Sequence, residues 1–232
     1  MSYSMFQEEL EEVAAPAEKG KTTVKERLLF WGGLAFALIQ FVVPVYVYLI
    51  DLQMRAIHVG IGISLALLIY PFSKVLKKEK LYLWDLLIIL GVLVSNVNVF
   101  LKTMHIYNEP GGASDFDLAL GIFLFVMVLE AARRTMGWII PNLLLFLLGY
   151  IFVSPYLPGI WQMRGLDWRL VVNSLYYSPL GIYGAVTGMS ATFISMFIIF
   201  GAFRSVTGAG RTFIELALAL AGRYTGGPAK TC

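Results

Sequence analysis

The side chains of this sequence best suited to proton transfer near neutral pH are two histidines, His58 and His105. Both are expected at the outer ends of membrane-spanning segments. A surface histidine without a chemical role is favoured there over a metal or proton site. No Ser-His-Asp arrangement can be assembled in so polar-poor a chain. The residue types therefore predict that the protein is not an enzyme and has no bound cofactor.

Ionisable residues inside apolar segments are further candidates, because an ionisable group in a membrane is by default a functional hypothesis. Asp85 lies near the inner end of such a segment, within reach of the lysines from Lys77 to Lys80. We interpret it as an interfacial carboxylate, with a proton or ion site as the alternative. Glu130 and Arg134 are four residues apart and can pair on one face of a helix, which predicts an anchor at the inner interface.

Three uncharged polar residues, Ser95, Asn96 and Asn98, lie deeper in the segment that contains Asp85. Asparagine side chains in hydrocarbon must find hydrogen-bond partners, and bonds between helices contribute ~0.6 to 2 kcal/mol each. Such interhelical bonds are the favoured interpretation. Contact with a transported substrate is the alternative.

The composition indicates that a membrane positions these residues. The chain has 232 residues, of which 58% are hydrophobic and 14% are charged. A soluble domain is about half apolar and about a quarter charged, so a soluble enzyme is nearly excluded. The single cysteine, Cys232, is the last residue, which leaves no disulfide framework or cysteine zinc site.

Apolar runs predict six membrane-spanning helices, since a spanning helix needs ~20 mostly apolar residues. The runs are Leu28–Ile50, Ala56–Phe72, Leu86–Leu101, Leu118–Leu129, part of Thr135–Met163, and Ile182–Phe203. Residues 1–27 form a charged tail with an acidic start, which is not the pattern of a cleavable signal peptide.

The lysines and arginines predict the orientation of these spans. With the N-terminus inside, fourteen of the 18 Lys and Arg residues fall on the cytoplasmic side. Positive charge accumulates in cytoplasmic loops, so a cytoplasmic N-terminus is favoured. Trp31, Trp84 and Trp138 then lie at the inner starts of three spans, where amphipathic rings prefer the headgroup level.

Two shorter segments are predicted to be amphipathic helices at the membrane surface, Trp168–Tyr177 outside, with Asp167 as its N-cap, and Thr212–Arg223 inside. The motifs Gly184-x-x-x-Gly188 and Gly60-x-x-x-Ser64 predict close approach of helices. Pro141 predicts a kink in the fifth span. The fold class predicted is all-α: a polytopic integral membrane helix bundle with about six transmembrane helices and two interfacial amphipathic helices.

The second half of the chain resembles a known family. The stretch GMSATFISMFIIFGAF at 188–203, then TGAG at 207–210, IELALALAGR at 214–223 and GGPAK at 226–230, resembles permeases of TRAP transporters. The closest similarity is to the TAXI type, in which the small and large membrane subunits are fused. LEAARR at 129–134, followed by Gly137, Trp138 and Pro141, is similar to the region where such fusions enter the large subunit.

The resemblance implies a sodium-coupled secondary transporter, a symporter that imports a small organic solute delivered by a periplasmic binding protein. It implies a multi-pass protein of a bacterial or archaeal inner membrane. It divides the chain into a cytoplasmic tail (1–27), a four-helix, small-subunit-like scaffold (28–134) and the start of a large-subunit-like transport region (135–232). The implied partners are the bilayer, the binding protein and the solute, and no nucleic acid.

In this family a hairpin rich in Gly and Ser follows the GGPAK stretch and helps to form the ion and substrate sites. The chain stops at Cys232, so the resemblance assigns no sodium or substrate ligand to it. We therefore expect an N-terminal fragment of a longer permease that does not transport by itself. The alternative is a complete small membrane protein with a scaffold or regulatory role and no transport activity.

Overall fold

A capping box begins the first helix of the computed structural model, which describes residues 23–70, 83–210 and 212. Thr23 Oγ1 accepts a hydrogen bond from the backbone N–H of Glu26 (3.3 Å), and the Glu26 carboxylate accepts one from the N–H of Thr23 (2.8 Å). The pair satisfies two backbone donors that a helix start leaves open. Helix α1 therefore begins at Val24, inside the predicted charged tail, whose first 22 residues lie outside the described residues.

Eight helices follow one another along the described residues. Their bounds are α1 (Val24–Tyr46), α2 (Asp51–Ile69), α3 (Leu83–Leu101), α4 (Thr103–Asn108), α5 (Asp115–Met136), α6 (Ile139–Val153), α7 (Trp168–Tyr176) and α8 (Ala185–Val206). Two 3₁₀ turns, Ser154–Tyr156 and Gly159–Trp161, follow α6. Helix α8 contains a π-helical turn at Ser190–Ile194. The predicted helical fold class is confirmed.

Five of these helices are long and apolar enough to cross a membrane: α1, α2, α3, α6 with its following turn, and α8. The predicted fourth span lies in α5, which is 22 residues long but carries charged residues near both ends. Its length alone, at ~1.5 Å per residue, would cover a bilayer core of ~30 Å. The crossing by α5 stays a prediction, and its end charges have partners that are described below.

Helix α2 lies at the centre of the bundle and packs against α1, α3, α5 and α8. The closest packing is between α2 and α3, where a Cβ built on Gly60 would lie 3.1 Å from Asn96 Cβ. The predicted close approach at the Gly60 motif is therefore confirmed. By contrast, few residues of α1, α6 and α8 are buried, so these helices present broad apolar faces to the surroundings.

The outer helix α7 covers the predicted range to within one residue, but it does not expose its tyrosines. It packs against α5, and a Cβ on Gly121 would lie 2.9 Å from Tyr176 Cβ. Tyr176 and the following Tyr177 are both buried. Asp167 occupies the N-cap position without a capping hydrogen bond from its side chain.

Two further expectations have different outcomes. Pro141 lies in the first turn of α6, where a missing N–H breaks no helical hydrogen bond, so the physical reason for predicting a kink in the fifth span does not apply. The predicted inner amphipathic helix Thr212–Arg223 falls outside the described residues, except for Thr212.

Candidate functional site

An arginine joins three helices at the end of the bundle that the predicted topology places inside. Arg134 of α5 is 1% exposed at its side chain, and its Nε donates to Glu130 Oε1 (2.8 Å). Its Nη1 donates to Asp85 Oδ1 of α3 (3.3 Å) and to the backbone carbonyls of Leu67 (3.3 Å) and Tyr70 (3.0 Å) at the end of α2. We call this group the inner arginine clamp.

The inner arginine clamp confirms the predicted pair of Glu130 and Arg134, but it changes the interpretation of Asp85. The Asp85 carboxylate pairs with Arg134, while the lysines expected nearby lie outside the described residues. Glu130 also accepts hydrogen bonds from Arg133, at 2.7 Å from both Nε and Nη2. The clamp is thus a set of ion pairs that holds helix ends together.

Two tyrosines insert into the middle of the bundle and meet the polar residues of α3. The Tyr176 hydroxyl donates to the carbonyl of Ser95 (2.6 Å), and the Tyr183 hydroxyl donates to Asn96 Oδ1 (3.0 Å). Asn96 Nδ2 donates to the carbonyl of Val92 in its own helix (2.8 Å). The expectation of hydrogen bonds from this segment to neighbouring elements is confirmed, and the partner tyrosines were not predicted.

A buried carboxylate organises the opposite end of the bundle, which the predicted topology places outside. Asp117 in the first turn of α5 is 1% exposed, and its Oδ1 accepts from Asn98 Nδ2 (2.7 Å) and Lys102 Nζ (2.7 Å). Its Oδ2 accepts from Lys102 Nζ (2.8 Å) and from the hydroxyl (2.7 Å) and the N–H (3.0 Å) of Ser114. We call this group the outer aspartate network. It gives Asn98 a partner and joins α3 to the start of α5.

His58 does not lie at the surface as expected. It is half-buried, its Nδ1 lies 2.9 Å from Gln40 Nε2 of α1, and its Nε2 lies 3.1 Å from Ser190 Oγ of α8. Ser190 opens the π-helical turn, a rare geometry that is frequent at functional sites. The three side chains connect α1, α2 and α8, so the prediction of a surface residue is wrong for His58.

His105 is exposed, as predicted. Its Nε2 lies 3.6 Å from Glu109 Oε2, and its Nδ1 lies 3.3 Å from the Tyr177 hydroxyl. Burial raises the pKa of the Tyr177 phenol, so a neutral hydroxyl faces the imidazole. Among the described residues, no group of three His, Cys, Asp or Glu side chains could hold a metal ion.

Arg55 connects α2 to the start of α8. Its Nη1 donates to the carbonyl of Tyr183 (2.9 Å), and a Cβ built on Gly188 would lie 2.8 Å from its Nε. The predicted motif that contains Gly188 therefore permits the close approach of a guanidinium to helix α8. Sequence reasoning missed this contact because 128 residues separate Arg55 from Tyr183.

The contacts described above include those of five residues in the first three helices: Arg55, His58, Asp85, Ser95 and Asn96. They join the first three helices to α5, the segment around α7, and α8. This second part of the bundle is also the part that comparison with known proteins identifies. Residues 123–232 match the family described as "Tripartite ATP-independent periplasmic transporter, DctM component". That family is a component of a transporter and not an enzyme. No curated protein and no solved structure matches the chain.

The family match begins within α5 and covers α6, α7 and α8. Hydrogen bonds join the DctM-matched region to residues 23–122 at three places. Arg134 binds at the inner arginine clamp, Tyr176 and Tyr183 bind α3 in the middle of the bundle, and Ser190 meets His58 of α2. Polar contacts of this kind fix which helices are neighbours in a bundle whose outer faces are apolar. Together they form a framework for holding and positioning helices, not a reaction centre.

Proposed function

We propose that this chain is part of the membrane permease of a TRAP-type transporter, a sodium-coupled secondary transporter that imports a small organic solute delivered by a periplasmic binding protein. The observation that carries the proposal is the match of residues 123–232 to the DctM component. The helical bundle, with five helices able to cross a membrane, is compatible with that role.

We further propose that residues 28–134 are a small-subunit-like scaffold fused to a large-subunit-like region that starts at residue 135, as in the TAXI type. The hydrogen bonds of Tyr176 and Tyr183 to α3 support a permanent association, because they are buried among core residues. The scaffold would then act as a fixed support for the transport region.

Uptake into membrane vesicles tests the proposed function. Vesicles that contain the full permease should accumulate the solute only when an inward sodium gradient and the loaded binding protein are both present. Replacing sodium by potassium should abolish accumulation, and omitting the binding protein should do the same. Sodium-independent uptake, or uptake without a binding protein, would contradict the proposal.

The proposed topology places the N-terminus in the cytoplasm, and cysteine labelling tests it. The single natural cysteine, Cys232, is first changed to serine. His105→Cys should then react with a membrane-impermeant maleimide added to intact spheroplasts, and Lys78→Cys should react only after permeabilisation. The reverse labelling pattern would show that the orientation is wrong.

The outer surface near α7 is proposed to be part of the docking site for the binding protein. Arg169 Nη2 pairs with Asp115 Oδ1 at 2.9 Å, and the two side chains are 55% and 80% exposed. Arg164 is exposed nearby in the chain. Arginine is enriched at protein interfaces. The side chains of Arg164 and Arg169 are both accessible to a soluble partner.

Changing Arg164 and Arg169 together to glutamate should raise the binding-protein concentration for half-maximal uptake about tenfold, since rim charges set the encounter with a partner. Arg204→Glu, an exposed charge reversal at the predicted inner end of α8, is the matched control and should leave that concentration unchanged. An unchanged concentration dependence in the double variant would leave these arginines only an anchoring role.

A further inference from the structure

A cleft with a charged end and an apolar end runs along α8. Its first part, about 320 Å³, lies between the start of α2 and α8 and includes Asp51 and Arg55. Its second part, about 350 Å³, lies between α1 and α8 and is lined by Pro44, Thr192, Phe193, Met196, Phe197 and Phe200. Thr192 and Phe193 line both parts, so the two parts adjoin at these residues, and we call them together the groove.

At the charged end of the groove, the known contacts of Arg55 use only some of its N–H donors. Arg55 donates to the carbonyl of Tyr183 and makes one long contact, 3.4 Å, with Asp51 Oδ2. A guanidinium has five N–H donors, so donors remain for an anion in the cleft. Asp51 is largely exposed and lies on the same rim, which places a negative charge beside the positive one.

The apolar end consists of aromatic side chains on one face of α8. Phe193, Phe197 and Phe200 follow one another at helical spacing, and all three are exposed. From Phe193 to Phe200 the helix advances about 10 Å at ~1.5 Å per residue, which is well within the hydrocarbon of one leaflet. The groove therefore changes from charged to apolar along a helix that is able to cross the membrane.

We infer that this groove binds a phospholipid whose head group carries a primary amine. The phosphate accepts hydrogen bonds from Arg55, the ammonium group lies beside Asp51, and one acyl chain follows the face of Phe193, Phe197 and Phe200. The charges of the rim match those of a zwitterionic head group. A primary ammonium group can also donate hydrogen bonds to the exposed Asp51 carboxylate, which a quaternary ammonium group cannot do. Under the proposed topology the lipid belongs to the outer leaflet.

The lipid would connect the scaffold helices to the DctM-matched region, because its head contacts α2 and its chain lies between α1 and α8. This inference is independent of which solute is transported. A lipid at this position would be retained through purification, since both its head group and its acyl chain are held.

Lipid retention by purified protein tests the inference. The full chain is transferred to nanodiscs that contain equal amounts of phosphatidylethanolamine, phosphatidylcholine and phosphatidylglycerol, extracted into detergent and analysed by native mass spectrometry. Phosphatidylethanolamine should be retained preferentially. Arg55→Gln removes the charge but keeps an amide donor for Tyr183, and retention should fall about tenfold, the effect of losing a charged hydrogen bond. Arg164→Gln is the matched control and should retain lipid like the natural sequence.

Thr192→Phe fills the shared part of the groove and leaves the bond between Arg55 and Tyr183 intact. It should reduce retention to the same extent, and it keeps the test decisive if Arg55→Gln impairs folding. Equal retention in Thr192→Phe and the natural sequence would overturn the inference, as would equal retention of phosphatidylcholine, which has no primary amine. Displacement of the lipid by glycerol phosphate would also overturn it, because the cleft would then bind a soluble anion. Absence of bound lipid from the natural sequence would overturn it as well and would leave the groove to another segment of protein.

Discussion

Replacing Arg134 with alanine is expected to lower the free energy of unfolding by about 3–5 kcal/mol, the cost of breaking a buried ion pair on one side. The Arg134 side chain is 1% exposed and binds Glu130, Asp85 and the carbonyls that end α2. Without it, the Asp85 carboxylate loses the arginine that pairs with it. Two carbonyls at the end of α2 also lose a donor.

The neighbouring Arg133 provides the matched control. It binds the same carboxylate, Glu130, and its side chain is more exposed, at 21%. Arg133→Ala removes the same charge from the same helix, and it should cost about 1 kcal/mol or less because the remaining pair with Arg134 is kept. Denaturation in detergent, followed by tryptophan fluorescence, measures both variants.

A second substitution distinguishes a charge effect from a packing effect. If the loss in Arg134→Ala comes from the uncompensated carboxylate, adding Asp85→Asn should recover a substantial part of the lost stability. Equal destabilisation by Arg133→Ala and Arg134→Ala would contradict the claim that the buried contacts of Arg134 stabilise the bundle more than those of Arg133. An additive loss in the Arg134→Ala and Asp85→Asn double variant would show that their contact contributes little.

Local patterns in the sequence predicted the parts of the fold that depend on neighbours along the chain. Apolar runs located α1, α2 and α3, because a spanning helix must satisfy its backbone within a continuous segment. The four-residue spacing of Glu130 and Arg134 predicted their pair, because residues four apart lie on one face of a helix. Segment α5 was harder, because charges near both of its ends shorten the apolar run.

The contacts between distant residues could not be predicted in this way. His58 and Ser190 are 132 residues apart, and nothing in the spacing of either indicates the other. Tyr176 lies at the end of an amphipathic helix, and it is buried because Gly121 leaves room for its ring. A tyrosine at the end of an amphipathic helix has the same sequence pattern in both environments, so only the packing decides.

Replacing Asp117 with alanine is expected to lower the free energy of unfolding by about 3 kcal/mol, through the loss of its half of the capping box with Ser114 and of hydrogen bonds to a charged group. Asp117 is 1% exposed and accepts hydrogen bonds from Asn98, Lys102 and Ser114. Alanine would leave the Asn98 amide without its partner between α3 and α5. Asp117→Asn should cost less, because its carbonyl oxygen can still accept one of these bonds.

Asp115, two residues earlier, is the control for the outer aspartate network. It carries the same charge in the same first turn, but it is 80% exposed and pairs with the exposed Arg169. Asp115→Ala should therefore change the free energy of unfolding by less than about 1 kcal/mol. Hydrogen exchange adds a local readout: in Asp117→Ala, amides at the start of α5 and the end of α3 should lose protection while those near Arg134 keep theirs. Uniform loss of protection would contradict a local role of the outer aspartate network. Equal effects of the two aspartate substitutions on the free energy of unfolding would mean that charge near the helix start stabilises the fold and the buried network does not.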